Sequence, residues 1–114
     1  MAKNMWNPGG VMGDAASSMT AAGTTTGTAA TMTADHVKVT VVTSSADGVI
    51  LRAANASEIF SVSNADATEA LKWYPPSGGS FNGRTADLPA VVPSGKAAIA
   101  ICVDATNFIV VIGN

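Results

Sequence analysis

The chain has 114 residues, of which 47% are hydrophobic and only 12% charged, and its formal net charge is −2. This length suits one domain, and a surface with so few charges favours association. The charges are scattered singly, which argues against nucleic acid and anionic membranes as partners. The sequence contains no run of about 18 apolar residues, so we expect no transmembrane helix. Lys3 precedes no apolar stretch and Cys102 is the only cysteine; we therefore expect no signal peptide, no intrachain disulfide and synthesis in a reducing cytoplasm.

Residues 1–35 form a leader of mostly small and polar residues. It has no period of 3.6 or 2.0 that could bury one face. Ordering such a stretch costs on the order of 1–2 kcal/mol per residue, so we predict a flexible arm that becomes ordered on a partner; the alternative is a disordered tail with no task. The expected contacts are its larger apolar side chains, with Trp6 as the best anchor for a pocket: Met5, Trp6, Val11, Met12, Met19 and Met32.

Residues 36–114 are predicted to form a domain of short β-strands separated by turns. Strands are indicated, in chain order, by the segments HVKVTVVTS, GVILRAA, SEIFSVSN, ALKWYP, LPAVV, KAAIAICV and FIVVIGN. Their recurrence every roughly 8–14 residues, without an amphipathic helix between them, predicts an all-β fold, either a small antiparallel β-sandwich or a jelly-roll-like barrel. The last segment is apolar on both faces, so we expect both sheets or a neighbouring subunit to cover it.

Few residues in the sequence could carry chemistry. His36 is the only histidine, and a metal site needs three or four convergent ligands. The acidic residues that could form a catalytic pair lie mostly in turn segments, where Asp is favoured for backbone reasons; they are Asp47, Glu58, Asp66, Glu69, Asp87 and Asp104. The glycine-rich stretches lack the Lys-Ser/Thr of a phosphate loop. We therefore predict no catalytic residue, no metal, no cofactor and no enzyme activity.

The aromatic pair Trp73-Tyr74 lies in one predicted strand and is favoured as part of the core, with ligand binding as the alternative. Successive strand residues point to opposite faces, so one ring is expected in the core. The other ring packs under a loop or faces a partner, and an exposed ring could stack on a sugar. Together with Phe81 and Asn82 in the following loop, these residues form the predicted oligomer or ligand face.

An ordered series of segments between Gly48 and Ile112 resembles a pattern in structural proteins of tailed bacteriophages. The matching segments are GVILRAA, FSVSN, ALKWYP, GGSFNG, GKAA and FIVVI. Such domains occur in head decoration (cement) proteins, head fibres and tail-associated proteins. The chain departs from the phage pattern at two places. Proline is common in the pattern at the position of Arg52, and the pattern has a final tryptophan where this chain has Ile109 or a neighbouring residue. The family pattern carries no catalytic residues, so the resemblance implies none for this chain.

The resemblance, the short chain and the leader together predict a capsid decoration protein. Such proteins are commonly trimers that bind the outside of the capsid and clamp major capsid subunits. We therefore expect the major capsid protein and other copies of this chain as partners, and the outer surface of the virion as the location. The alternative is a carbohydrate-binding or host-adhesion module of a head fibre or tail fibre, which would use Trp73 or Tyr74 and polar groups near Asn82.

Overall fold

The computed structural model describes residues 14–52 and 54–113, and within these ranges the chain is all-β without a helix. The all-β part of the predicted fold class is thereby confirmed. The strands are β1 (Ala15–Thr20), β2 (Ala30–Thr31), β3 (His36–Val41), β4 (Gly48–Ile50), β5 (Ile59–Asn64), β6 (Leu71–Tyr74), β7 (Ser80–Phe81), β8 (Ala90–Val92), β9 (Ala97–Asp104) and β10 (Asn107–Ile112). They form a six-stranded sheet in the order β1-β3-β5-β9-β10-β7 and a four-stranded sheet in the order β2-β4-β6-β8.

The first six strands wind like a solenoid. The chain alternates between the two sheets, so that β1, β3 and β5 stack in the larger sheet while β2, β4 and β6 stack in the smaller one. All of these neighbours are parallel. Each pass through both sheets is a coil: the first coil holds β1 and β2, the second β3 and β4, and the third β5 and β6. Stacked coils of this kind bury a shared core that no single coil could bury alone.

The predicted antiparallel pairing is wrong for these six strands, and with it the jelly-roll-like arrangement. Antiparallel pairing begins only later in the chain, where β9 lies between β5 and β10, and β8 pairs with β6. The alternation of apolar residues defines a strand but does not specify its neighbour. Asp47-Gly48, a typical hairpin signal, instead lies where the chain leaves the larger sheet for the smaller one.

The second half of the leader belongs to the folded body. Residues 14–35 supply the first coil, and the side chains of Met19 and Met32 lie in the core, 8% and 2% exposed. The prediction of a flexible arm up to residue 35 is therefore wrong for residues 14–35, and these two methionines are not available as capsid contacts. The pairing of β1 with β3 and of β2 with β4 supplies main-chain hydrogen bonds that offset the cost of ordering this segment. The predicted contacts Met5, Trp6, Val11 and Met12 lie outside the described residues.

A cluster of charged groups ties the first coil to the second. The Arg52 guanidinium donates hydrogen bonds to the carboxylates of Asp14 and Asp35. The main-chain N–H of Asp35 also donates to Asp14 Oδ1 at 2.9 Å. This N–H bond, with the nearby Arg52 charge, holds the pKa of the Asp14 carboxyl below its usual value. The charge-assisted bonds join the beginnings of β1 and β3, where the two coils meet.

Gly23 allows the first coil to cross from one sheet to the other. Its φ is 81°, and a Cβ atom there would lie 2.0 Å from the main-chain oxygen of Thr28. Only glycine fits this left-handed, closely packed position. The Gly23 carbonyl accepts a 3.0 Å hydrogen bond from the Gly48 N–H, and Ala22 N–H donates to the Gly48 carbonyl. The turn is thus joined to the start of β4.

Candidate interaction surface

The aromatic side chains predicted as an oligomer or ligand face are buried. Trp73, Tyr74 and Phe81 are 0%, 6% and 1% exposed. The rings of Trp73 and Phe81 lie 5.8 Å apart, centroid to centroid, and Phe81 packs edge-on against Phe108 at 6.0 Å. These are ordinary geometries for aromatic pairs in a core. None of the three rings can serve as a surface platform for a sugar.

Both rings of the Trp73-Tyr74 pair are covered by the first coil. The Trp73 indole N–H donates to Met32 Sδ at 3.3 Å. The Tyr74 hydroxyl donates to the Thr24 carbonyl at 2.7 Å. Burial raises the pKa of this hydroxyl. The interpretation in which one ring enters the core and the other packs under a loop is therefore confirmed, with the leader supplying that loop.

Asn82 is exposed, but its side chain has a structural role. Its amide oxygen accepts a 2.9 Å hydrogen bond from Val110 N–H, and its amide nitrogen donates to the Val110 carbonyl at 3.0 Å. Its main-chain N–H donates to the Phe108 carbonyl. With a φ of 55°, a conformation that asparagine tolerates well, Asn82 extends β7 and pairs with the outer edge of β10. The amide is therefore engaged with the sheet and is not held ready for a ligand.

A group of large aliphatic side chains covers part of the outer surface of the larger sheet. Each is between 38% and 62% exposed. We call this group the aliphatic face, and its members are Ile59, Ile99, Ile101, Val103, Ile109 and Val111. They come from the three adjacent strands β5, β9 and β10.

Strand register makes the aliphatic face continuous. Ile101 of β9 pairs with Ile59 on one side and with Ile109 on the other. In the next row Ile99 pairs with Val111. Side chains of directly paired residues lie on the same face of a sheet within contact distance. Five of the side chains therefore form a ladder of aliphatic groups across three strands, and Val103 follows Ile101 on the exposed side of β9.

Polar residues occupy the neighbouring part of the same sheet surface. Ser61, which pairs with both Ile99 and His36, lies where the two parts meet. Its hydroxyl is 2.7 Å from His36 Nδ1. The next row holds Lys38 and Ser63. The outer surface is thus divided into a polar part on β3 and β5 and an aliphatic part centred on β9 and β10.

The alternation of small and large residues along β9 is a signal for the aliphatic face in the sequence. In KAAIAICV the core-facing residues Ala98, Ala100 and Cys102 are small, and the intervening residues are large. An apolar run of this kind is typical of a central strand, and β9 does lie between β5 and β10. In the larger sheet β9 is the fourth strand and β10 is the fifth. Among the described residues, no second layer covers the outer side chains of these two strands.

Two observations on the described residues concern metal binding and thiol chemistry. These residues include no group of three or more His, Cys, Asp or Glu residues that could bind a metal ion. The Cys102 thiol is 1% exposed, and burial, together with the charges of Glu58 and Asp104, raises its pKa; a thiol of this kind is not activated as a nucleophile. In the open depression beside Asn64 and Lys96, the Asn64 amide nitrogen donates to the main-chain carbonyls of Glu69 and Val92.

Comparison with protein-family models, curated proteins and solved structures finds no match to this chain. No helix in the described ranges is long and apolar enough to cross a membrane. The aliphatic face, with its polar margin, is therefore the surface feature on which a functional proposal can be built.

Proposed function

We propose that this chain is a structural virion protein that binds the outside of a bacteriophage capsid and cements or decorates the major capsid subunits, as a trimer. The observation that carries the proposal is the uncharged aliphatic face on a small β-body, since such a patch is typical of a part that is assembled onto protein surfaces. The kind of assembly is suggested by the segments between Gly48 and Ile112, which resemble those of phage structural proteins.

The predicted attachment segment is now shorter than the leader. Residues 14–35 are committed to the first coil, so the proposal places capsid contacts within residues 1–13, at Met5, Trp6, Val11 and Met12. Three such segments on one trimer would bind cooperatively, because engagement of one raises the effective concentration of the others. Binding that favours the assembled shell would stabilise that shell by mass action.

The test is a binding experiment with capsids of the same virus that lack this protein. Full-length chain should sediment with these capsids in a copy number comparable to the major capsid protein. Deletion of residues 2–13 should abolish co-sedimentation, and Trp6→Ala should weaken it by roughly 10- to 100-fold, as expected for an anchor residue. The control is Thr25→Ala, which changes an exposed side chain in the first coil. Absence of co-sedimentation, or undiminished binding after the deletion, would contradict the proposal.

The alternative of a carbohydrate-binding or host-adhesion module has lost its predicted residues. It required Trp73 or Tyr74 at the surface, and both are in the interior. The Asn82 amide, its expected polar partner, is paired with β10. We therefore do not propose this function.

A further inference from the structure

We propose that the aliphatic face is the surface through which copies of this chain bind one another, with the faces of neighbouring copies packed together around a shared symmetry axis. The inference deepens the self-association included in the proposed function. It is argued, however, from β5, β9 and β10 alone and needs no capsid.

The first argument is the size of the side chains in β9. This strand places alanines and a cysteine toward the core and places Ile99, Ile101 and Val103 toward the outside. Burying an aliphatic side chain stabilises a protein by about 25 cal/mol per Å². A strand that serves only its own core gains by directing its large side chains inward. β9 does the opposite, so we infer that its outer side chains are buried in the assembled state.

The second argument is the extent of the aliphatic face. Its six side chains are between 38% and 62% exposed, and all but Val103 adjoin one another through strand pairing. A patch of this kind amounts to several hundred Å², which is about the largest found on ordinary monomers. A standard interface buries roughly 800 Å² per partner, so the aliphatic face would form the centre of such an interface, with Ser61, Ser63 and Ala97 at its margin.

The third argument concerns which partner fits. The two paired rows, Ile59-Ile101-Ile109 and Ser61-Ile99-Val111, contain no charged residue, so the face offers nothing that would recognise an anionic or cationic partner. An aliphatic ladder on a sheet is complementary to an identical ladder, and two such sheets pack at about 10 Å. Lys38, Ser61 and Ser63 would then form the polar rim common to protein interfaces.

Mass action favours the same partner. Each newly made copy carries this face, so copies meet at the concentration of the protein itself. The body is also small, and a domain of about 100 residues buries only roughly 60–70% of its unfolded surface. Mutual covering of the face adds aliphatic burial that one copy cannot provide.

The main test measures the mass of the full-length chain by sedimentation equilibrium over a range of concentrations. The unaltered protein should be oligomeric. Ile99→Lys and Ile101→Lys, which place charges in the middle of the face, should give monomers. The matched control is Val91→Lys, because Val91 is a 45% exposed strand residue of the other sheet. It should leave the oligomer intact. A monomeric parent protein, or an oligomer insensitive to the substitutions at 99 and 101, would overturn the proposal.

Two further variants keep the test decisive if the lysine variants do not fold. Ile99→Thr retains a β-branched side chain suited to a strand and should weaken association at least tenfold. Ile109→Cys places a thiol on the face, and its reaction with a maleimide should be slow in the oligomer and fast in denaturant. Val91→Cys should react quickly in both conditions. Equally fast native labelling at positions 109 and 91 would show that the face is open and would overturn the inference.

Failure of this inference can be distinguished from failure of the proposed function. An oligomer that assembles through the face but does not bind capsids contradicts the capsid role and supports the inference. A monomer that binds capsids, with position 109 protected only there, supports the capsid role and overturns the inference.

Discussion

Asp66 shows how one side chain organises the passage between two coils. Its carboxylate accepts main-chain hydrogen bonds from Val42, Thr68 and Glu69, all between 2.9 and 3.0 Å. Val42 follows β3 of the second coil, whereas Thr68 and Glu69 belong to the loop of the third. Because the N–H donors favour the charged form, they lower the pKa of Asp66 to about 2. The Asp66 carboxylate therefore links the loop between β5 and β6 to the end of β3.

The low pKa of Asp66 predicts a specific dependence of stability on pH. The folded-state pKa lies below the ordinary value of 3.8, so this stabilisation is fully present above about pH 4 and is lost as pH falls toward about 2. Asp66→Asn should lower Tm at neutral pH, because the two carboxylate oxygens share three N–H donors, and an amide nitrogen in place of either oxygen cannot accept. It should also lose less Tm than the parent protein between about pH 5 and pH 2.

Thermal unfolding followed by circular dichroism at several pH values checks this expectation. The control is Asp47→Asn, since Asp47 is a partly buried aspartate in the turn after β3. That variant should retain the acid sensitivity contributed by Asp66. Equal losses of Tm in Asp66→Asn and in the parent protein would contradict the role assigned to Asp66.

At the scale of the elements, the sequence predicted strands better than their pairing. β3, β5 and β10 were predicted because large apolar residues mark them clearly. β1 and β2 were missed, since Ala, Ser and Thr dominate both, and only Met19 and Met32 mark a buried side. Parallel pairing was missed as well, because it depends on contacts between residues far apart in the chain, which local turn signals do not record.

The candidate site was missed for related reasons. Large rings are the usual guide to a binding surface, but Trp73 and Tyr74 are enclosed by residues of the first coil, including Met32 and Thr24. That enclosure cannot be foreseen while residues 14–35 are taken as an arm. The aliphatic face also depends on Ile59 pairing with Ile101, a non-local contact. Only the alternation of small and large residues within β9 was available in the sequence.

Met32 provides a test of the first coil as a structural element. Met32→Ala would leave a cavity beside Trp73 and remove the acceptor of its indole N–H. We expect a loss of about 2–5 kcal/mol in the free energy of unfolding, measured by chemical denaturation, together with a change in tryptophan fluorescence. Thr31→Ala, at the exposed neighbouring position, should cost much less. A Met32→Ala variant as stable as Thr31→Ala would favour the arm hypothesis instead.

At the scale of the whole molecule, the two ends of the solenoid differ. The third coil is closed by antiparallel strands, with β9 beside β5 and β8 beside β6. Within the described residues, the first coil forms the other end, and β1 and β2 are edge strands there. Neither edge strand contains a charged residue or proline. Because β1 pairs with β3 and β2 pairs with β4, the first coil covers the second coil on one side, as a terminal repeat does in a repeat protein.

Two deletions separate this covering role from a role in attachment. Deletion of residues 2–34 removes β1 and β2 with their core side chains, Met19, Ala21, Met32 and Ala34, and leaves the pairing edges of β3 and β4 open. We expect this variant to lack a cooperative thermal transition, because a body of this size has little core to lose. Deletion of residues 2–13 leaves every described strand in place and should change Tm by no more than a few degrees. Circular dichroism melting curves of the parent protein and the two deletion variants decide between these outcomes. If the leader up to residue 34 were only an arm, both variants would unfold at the temperature of the parent protein.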